Sequence, residues 1–191
     1  MPRTSSARAS AISTAADLFR RRGYAATGLE EILDQSGAPK GSFYHHFPGG
    51  KDELAIEALD LGGRRVRQLV DQLAADAGSP GALVVAIASK QAEDLRQSQF
   101  EWGCPVATVA LELAGSSDRF ATVASKAYAS WIEPLAAMLE RHGKEPGEAL
   151  RLARWAFTSL EGALLLARVA RDASIVTEAA AITAHVLDVG K

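Results

Sequence analysis

An all-α fold is predicted by three features of this chain: apolar residues recur at helical spacing through most of its 191 residues, β-branched clusters alternating at period two are few, and Gly and Pro mark the turns. With 48% hydrophobic and 23% charged residues the chain can bury a real core. Its net charge of −2 conceals an asymmetry. Through Lys51 there are seven Lys/Arg against four Asp/Glu, and beyond it fourteen against nineteen, so a small basic head precedes an acidic body.

The first helix is expected from about Ser6 to Arg22, with Ile12, Ala16 and Phe19 on one stripe. Gly23 stops it, and Arg20, Arg21 and Arg22 suit the negative end of its dipole. A second helix opens at Thr27-Gly28-Leu29-Glu30, a sequence that matches a capping box, and buries Leu29, Ile32 and Leu33. A tight turn at Ser36-Gly37-Ala38 leads to a third, short helix. Its first residues, Pro39, Lys40, Gly41 and Ser42, are small or hydrogen-bonding, so its backbone can enter a major groove closely. Phe43 and Phe47, four residues apart, share a face that anchors it, while Tyr44 and His45 can reach phosphate oxygens. Three helices with such a turn make a helix-turn-helix. The expected DNA-facing set is Thr27, Gly28, Pro39, Lys40, Gly41, Ser42, Tyr44, His45 and Lys51.

The run from Ala16 to Leu54, with Leu18-Phe19, Gly23-Tyr24, Thr27, Ile32, Gly37, Lys40-Gly41-Ser42, Phe43-Tyr44, His46-Phe47 and Lys51-Asp52-Glu53-Leu54, resembles the N-terminal domain of TetR-family transcriptional regulators. Departures are Gly28 where most members carry Thr or Ser, Pro39 where Ser is common, and a turn lengthened by Gly49-Gly50. Together with Trp102-Gly103-Cys104-Pro105 and the run from Val106 to Leu113, these features look like the subgroup of lincomycin-resistance regulators. The resemblance implies a homodimer that binds a palindromic double-stranded operator, most often as a repressor, and releases it on binding a small organic inducer. It also implies a helix-turn-helix head over residues 1–50 on a larger helical body over 51–191 for ligand binding and dimerisation.

Beyond the head, a fourth helix from about Lys51 to Ala77 carries Leu54, Ala58, Leu61, Val66, Leu69 and Leu73 and ends at Gly78-Ser79-Pro80-Gly81. Further helices are expected near Gly81–Ser98, Pro105–Ala114, Asp118–His142, Pro146–Arg171 and Ser174–Val189. On the last two, Leu150, Ala153, Phe157, Leu160, Leu164 and Ala167 make one stripe, and Ile175, Ala179, Ile182, Val186 and Val189 another. These stripes either close the subunit core or meet a second subunit. The resemblance favours a dimer interface at Leu150, Phe157, Leu164, Ile175, Ala179, Ile182 and Val186, since operator symmetry and protein symmetry go together.

A pocket for an organic molecule calls for aromatic rings and a few placed polar groups. Trp102, Glu112, Tyr128, Trp131, Trp155 and Glu161 are the candidates, with core packing as the alternative for the rings and a pair with an Arg such as Arg168 as the alternative for Glu161. Cys104, the sole cysteine, rules out an internal disulfide and a Cys-based metal cluster. Preceding Pro105 at a helix start, it serves either as a redox-sensitive thiol or as a small buried or capping residue. Redox control through Cys104, or control by a protein partner, is the alternative to an inducer. An enzyme with Cys104 as nucleophile and His142 or His185 as base lacks any spacing that joins them, so no catalytic residue, metal or cofactor is expected. The sequence shows neither a signal-like N-terminus nor an apolar stretch of membrane-spanning length, from which a cytoplasmic location is expected.

Overall fold

The computed structural model of the chain describes residues 3–189. Among these residues all regular structure is helical: α1 (Arg3–Arg22), α2 (Leu29–Ser36), α3 (Lys40–His46), α4 (Gly50–Asp76), α5 (Pro80–Gln97), α6 (Ala107–Leu113), α7 (Asp118–Arg141), α8 (Pro146–Ala170) and α9 (Ser174–Asp188). The chain forms two compact units, one of residues 1–65 and 104–127, the other of 66–103 and 128–191. Both α4 and α7 therefore contribute to each unit.

Local chemistry accounts for the boundaries in the first unit. Gly23 ends α1 at φ 79°, its amide donating to Phe19 O. Gly37 ends α2 at φ 67°, where a Cβ would be strained, and gives the sharp turn into α3. The start of α2 differs from the expected capping box: Gly28 is the N-cap and no side chain caps it. The Thr27 hydroxyl instead donates back to Gly23 O at 2.8 Å and is fully buried. It closes the connection between α1 and α2, leaving nothing to accept from Glu30.

The core of this unit is built on Phe19, Ile32, Phe43, Phe47, Leu54 and Leu59, each at most 1% exposed. Phe43 and Phe47 lie with ring centroids 5.1 Å apart. Arg8 crosses from α1 over the Phe47 ring at 5.3 Å and reaches Glu57 on α4 with Nη2 at 2.5 Å. The turn after α1 is tied down at Tyr24. Its hydroxyl donates to Asp52, Lys51 Nζ donates to its carbonyl at 2.7 Å, and the same ammonium lies 3.9 Å from its ring centroid. Burial, then the neighbouring Asp52 carboxylate, raises the Tyr24 phenol above its ordinary range. Burial lowers Lys51, partly offset by Glu112 and Asp52.

In the second unit α5 packs along α9, which also packs on α8. Trp131, Leu83, Leu95, Leu135, Leu139 and Leu160 are among its fully buried side chains. Ser79 caps α5 through Ala82 N and donates to Asp188, whose other oxygen accepts from Gly81 N at 3.0 Å. The end of α9 thereby closes on the start of α5.

The raised Tyr24 phenol generates a pH prediction. Its neutral form is the one the folded state holds, so its contribution is complete below about pH 10 and declines above it, as the unfolded phenol ionises while the folded one does not. Tyr24→Phe is expected to cost about 1 kcal/mol at pH 7. Urea unfolding of parent and variant from pH 7 to above pH 10 checks this: the difference narrows at the alkaline end, and a constant gap would show that folding does not raise the phenol.

Candidate nucleic-acid interface

The first unit presents α3 as a helix with one buried and one open side. Phe43 and Phe47 face inward, while Pro39, Lys40, Gly41, Tyr44 and His45 are exposed, Tyr44 at 53%. Pro39 at φ −63° sets the N-cap, and the half-buried Ser42 donates its hydroxyl to Pro39 O at 2.9 Å. Gly28, on the same side of the turn sequence as α2's start, is also exposed, and a Cβ at Gly28 or at Gly41 would meet no atom within 4 Å. Neither glycine is required by internal packing. In a helix as short as α3, Gly in place of Ala sacrifices about 1 kcal/mol of helix propensity. Gly41 thus makes sense as a place for something external to come close.

Lys40, at the first position of α3, is held by Glu30 of α2 with Nζ 3.0 Å from Oε1. That hydrogen bond raises the lysine above its ordinary range, and both side chains stand in solvent. Sequence reasoning did not anticipate the pair; the ten-residue separation gives no periodic signal. Two expected DNA-facing residues are placed elsewhere. Thr27 is buried and bonded to Gly23 O, so its hydroxyl has no access to a phosphate. Lys51 is turned onto Tyr24 by its carbonyl and ring, with its ammonium partly desolvated.

The expected ligand residues are distributed as follows. Glu112 belongs to the first unit, where its carboxylate accepts from Tyr24 N at 2.8 Å and Ala25 N at 2.7 Å, which removes it from a pocket role. Trp131 is core at 1% exposure, its ring meeting Tyr128 edge-on at 5.0 Å. Trp155 is 40% exposed on the outer face of α8. Trp102, Tyr128 and Glu161 are half-buried in the second unit. Arg168 donates to Phe100 O at 3.3 Å. Cys104 is buried, and its sulfur accepts from Ala107 N at 3.3 Å just ahead of α6, whose N-cap is Val106.

The expected dimer stripe also needs correction. On α8, Phe157 and Leu164 are buried at 6% and 7% within the subunit, so that stripe closes the core. The exposed apolar residues are Trp155, Leu165, Leu166 and Val169, which recur on the opposite face of the same helix. Leu150 is 39% exposed at the edge between the two faces. On α9 the core is made by Val176, Ala180, Thr183 and Leu187. Ile182 and Val186 of the expected set do stand outward at 67% and 46%, with Val189, while Ile175 and Ala179 are half-buried. A second period along α8, Trp155 to Leu166 to Val169, was the signal in the sequence that the helix has two apolar faces.

Among the described residues no helix is long and apolar enough to cross a membrane and no cluster of ligating side chains could hold a metal ion. Residues 11–58 match the model of the bacterial regulatory proteins, tetR family, and residues 80–182 match that of the transcriptional regulator LmrA/YxaF-like C-terminal domain. An uncharacterized HTH-type transcriptional regulator of Mycobacterium tuberculosis is 39% identical over 84% of each chain. YxaF of Bacillus subtilis, likewise an uncharacterized HTH-type regulator, is 37% identical over 84% of each. The HTH-type transcriptional regulator LmrA of Bacillus subtilis is 31% identical, over 85% of this chain and 87% of LmrA. A TetR transcriptional regulator from Chloroflexus aurantiacus shares the fold at a TM-score of 0.83, covering 98% of both chains at 23% identity. These relatives are transcriptional regulators, not enzymes. The chain belongs to the TetR family of DNA-binding transcriptional regulators, which act as dimers, with a body of the LmrA/YxaF-like kind.

Proposed function

We propose that this regulator is a repressor whose two heads read successive major grooves of a palindromic operator and which a small organic inducer releases. The open face of α3 carries the reading, above all Gly41, which packing inside the subunit does not need. Lys40, Tyr44 and His45 supply donors around it and Ser42 an accepting hydroxyl oxygen, with Pro39 and Gly28 beside them. Thr27 and Lys51 are left out, since both are engaged inside the head. The two heads must stand about 34–36 Å apart for successive grooves. An inducer that binds better to a dimer of another spacing lowers DNA affinity by its differential binding energy.

For dimerisation we assign the outer faces of α8 and α9: Trp155, Leu165, Leu166, Val169, Ile182 and Val186. A run of exposed apolar side chains on two packed helices is more than scattered surface hydrophobicity, and two copies related by a two-fold axis bury it as a four-helix interface. For the inducer, Trp102, Tyr128 and Glu161 remain the candidates, rings with a carboxylate that suit an organic molecule bearing a donor or positive group. Cys104 is buried with its sulfur accepting from Ala107 N, which supports a ligand rather than thiol oxidation as the signal.

Two experiments test this reading. Gly41→Leu adds a helix-favouring side chain where nothing in the subunit opposes it, so thermal stability is expected to hold or rise. Affinity for an operator duplex, selected by the parent protein from a random pool, is expected to fall about tenfold or more, because the side chain blocks groove entry. Unchanged operator binding would place the DNA elsewhere. The double substitution Leu166→Asp with Val169→Asp is expected to leave helical content intact and to yield monomers at micromolar concentration by sedimentation. A dimer that survives it rejects the outer face of α8 as the interface.

A further inference from the structure

We propose that Glu112 is the positioning residue through which α6 sets the placement of the reading head, an inference that rests on the DNA-binding function above. Its two carboxylate oxygens each take one backbone amide of the connection between α1 and α2: Oε1 from Tyr24 N at 2.8 Å and Oε2 from Ala25 N at 2.7 Å. These are charge-assisted bonds from a fixed pair of donors, so they define both distance and orientation. A carboxylate in the last turn of a helix faces the negative end of the helix dipole and is disfavoured there. Glu112 occupies that turn of the seven-residue α6, and the amides beyond the end of α1 supply the compensating positive potential.

The connection is shaped to receive the carboxylate. Gly23 sits at φ 79°, and a Cβ on it would overlap Glu112 Oε1. Backbone conformation and absence of a side chain therefore serve the same contact. Tyr24 is held from the other direction by α4, through Lys51 Nζ on its carbonyl and Asp52 on its hydroxyl. One residue thus receives α4 and α6 together.

The base of α6 is equally constrained. Cys104 Sγ accepts from Ala107 N, the Thr108 hydroxyl donates to Cys104 O at 3.1 Å, and Pro105 Cβ lies 3.0 Å from where Gly62 of α4 would carry its own Cβ. A helix held close to α4 at Pro105 and bonded to the head's backbone at Glu112 couples a shift of its end to the turn. Drawing α6 away from the turn by more than about 1 Å either moves the turn with it or stretches both hydrogen bonds beyond hydrogen-bonding range. The geometry therefore makes Glu112 a determinant of where the head stands, separate from the residues that touch DNA.

The test separates placement from folding. Affinities are measured for a duplex selected by the parent protein from a random pool and for the same duplex scrambled. Glu112→Ala is expected to lower affinity for the selected duplex about tenfold while the scrambled one changes less than about twofold, because random-sequence binding needs phosphate contacts but not two correctly spaced heads. Glu112→Gln, which keeps one acceptor oxygen, is expected to fall between. Amide exchange at Tyr24 and Ala25 is expected to accelerate in both variants while α8 amides keep their protection. Equal losses on both duplexes with a lowered melting temperature would reduce Glu112 to a stabilising contact and overturn the proposal, as would unchanged exchange at the two amides. Failure of the parent to enrich any sequence would instead remove the DNA-binding reading, and this inference with it.

Discussion

A helix of seven residues has no stability of its own in water, because nucleation consumes most of what so few hydrogen bonds return. The reading surface of this protein is such a helix, α3, and it exists because Phe43 and Phe47 are sunk into the core of the head at 1% exposure. Everything around it serves that anchorage. Gly37 turns the chain into it, and Arg8 closes over the Phe47 ring while bonding Glu57. With two aromatic rings doing the holding, Lys40, Gly41, Tyr44 and His45 stand at the surface, Lys40 paired with the exposed Glu30. Separation of anchoring from reading allows the exposed positions to vary without loss of fold.

A similar division runs through α8. Its inner face is made largely of alanine, with Ala149, Ala153, Ala156, Ala163 and Ala167 buried beside Phe157, Leu160 and Leu164, so neighbouring helices can approach closely. The outer face carries Trp155, Leu165, Leu166 and Val169 in water. A helix apolar on both sides marks its outer side as a surface for a second body to cover. The proposed dimer would meet the demand of this surface as well as that of operator symmetry.

Helix positions were legible in the sequence because their ends are chemically marked: Gly23, Gly37, Pro80 and Pro146 all stand at or beside observed boundaries. The anchoring pair Phe43 and Phe47 was equally legible from spacing. What spacing could not decide was direction. Phe157 and Leu164 lie on a sound apolar stripe, but α8 has two, and only packing against α9 and α5 tells which is inner. Polar residues were the least legible. Thr27, read as a cap, donates backward to Gly23, and Lys51, read as a phosphate contact, is absorbed by Tyr24. Glu112 was read as lining a pocket, although its partners lie 88 and 87 residues away in the chain. Hydrogen bonds of such separation leave no periodicity to find.

These internal engagements bear on how weakly each head should hold DNA. Among the seven Lys/Arg through Lys51, Lys51 is turned inward, Lys40 is shared with Glu30, Arg8 with Glu57 and Arg22 with Glu31. Such engagements reduce the sequence-independent attraction of each head, since that term scales with the phosphates neutralised. Tight binding then requires both heads at once, and the second engagement is intramolecular only when the spacing fits. A small change in head placement forfeits that advantage whole. Weak single heads and a firmly tethered connection at Tyr24 are therefore complementary: the first makes affinity depend on spacing, and the second lets the rest of the unit define it.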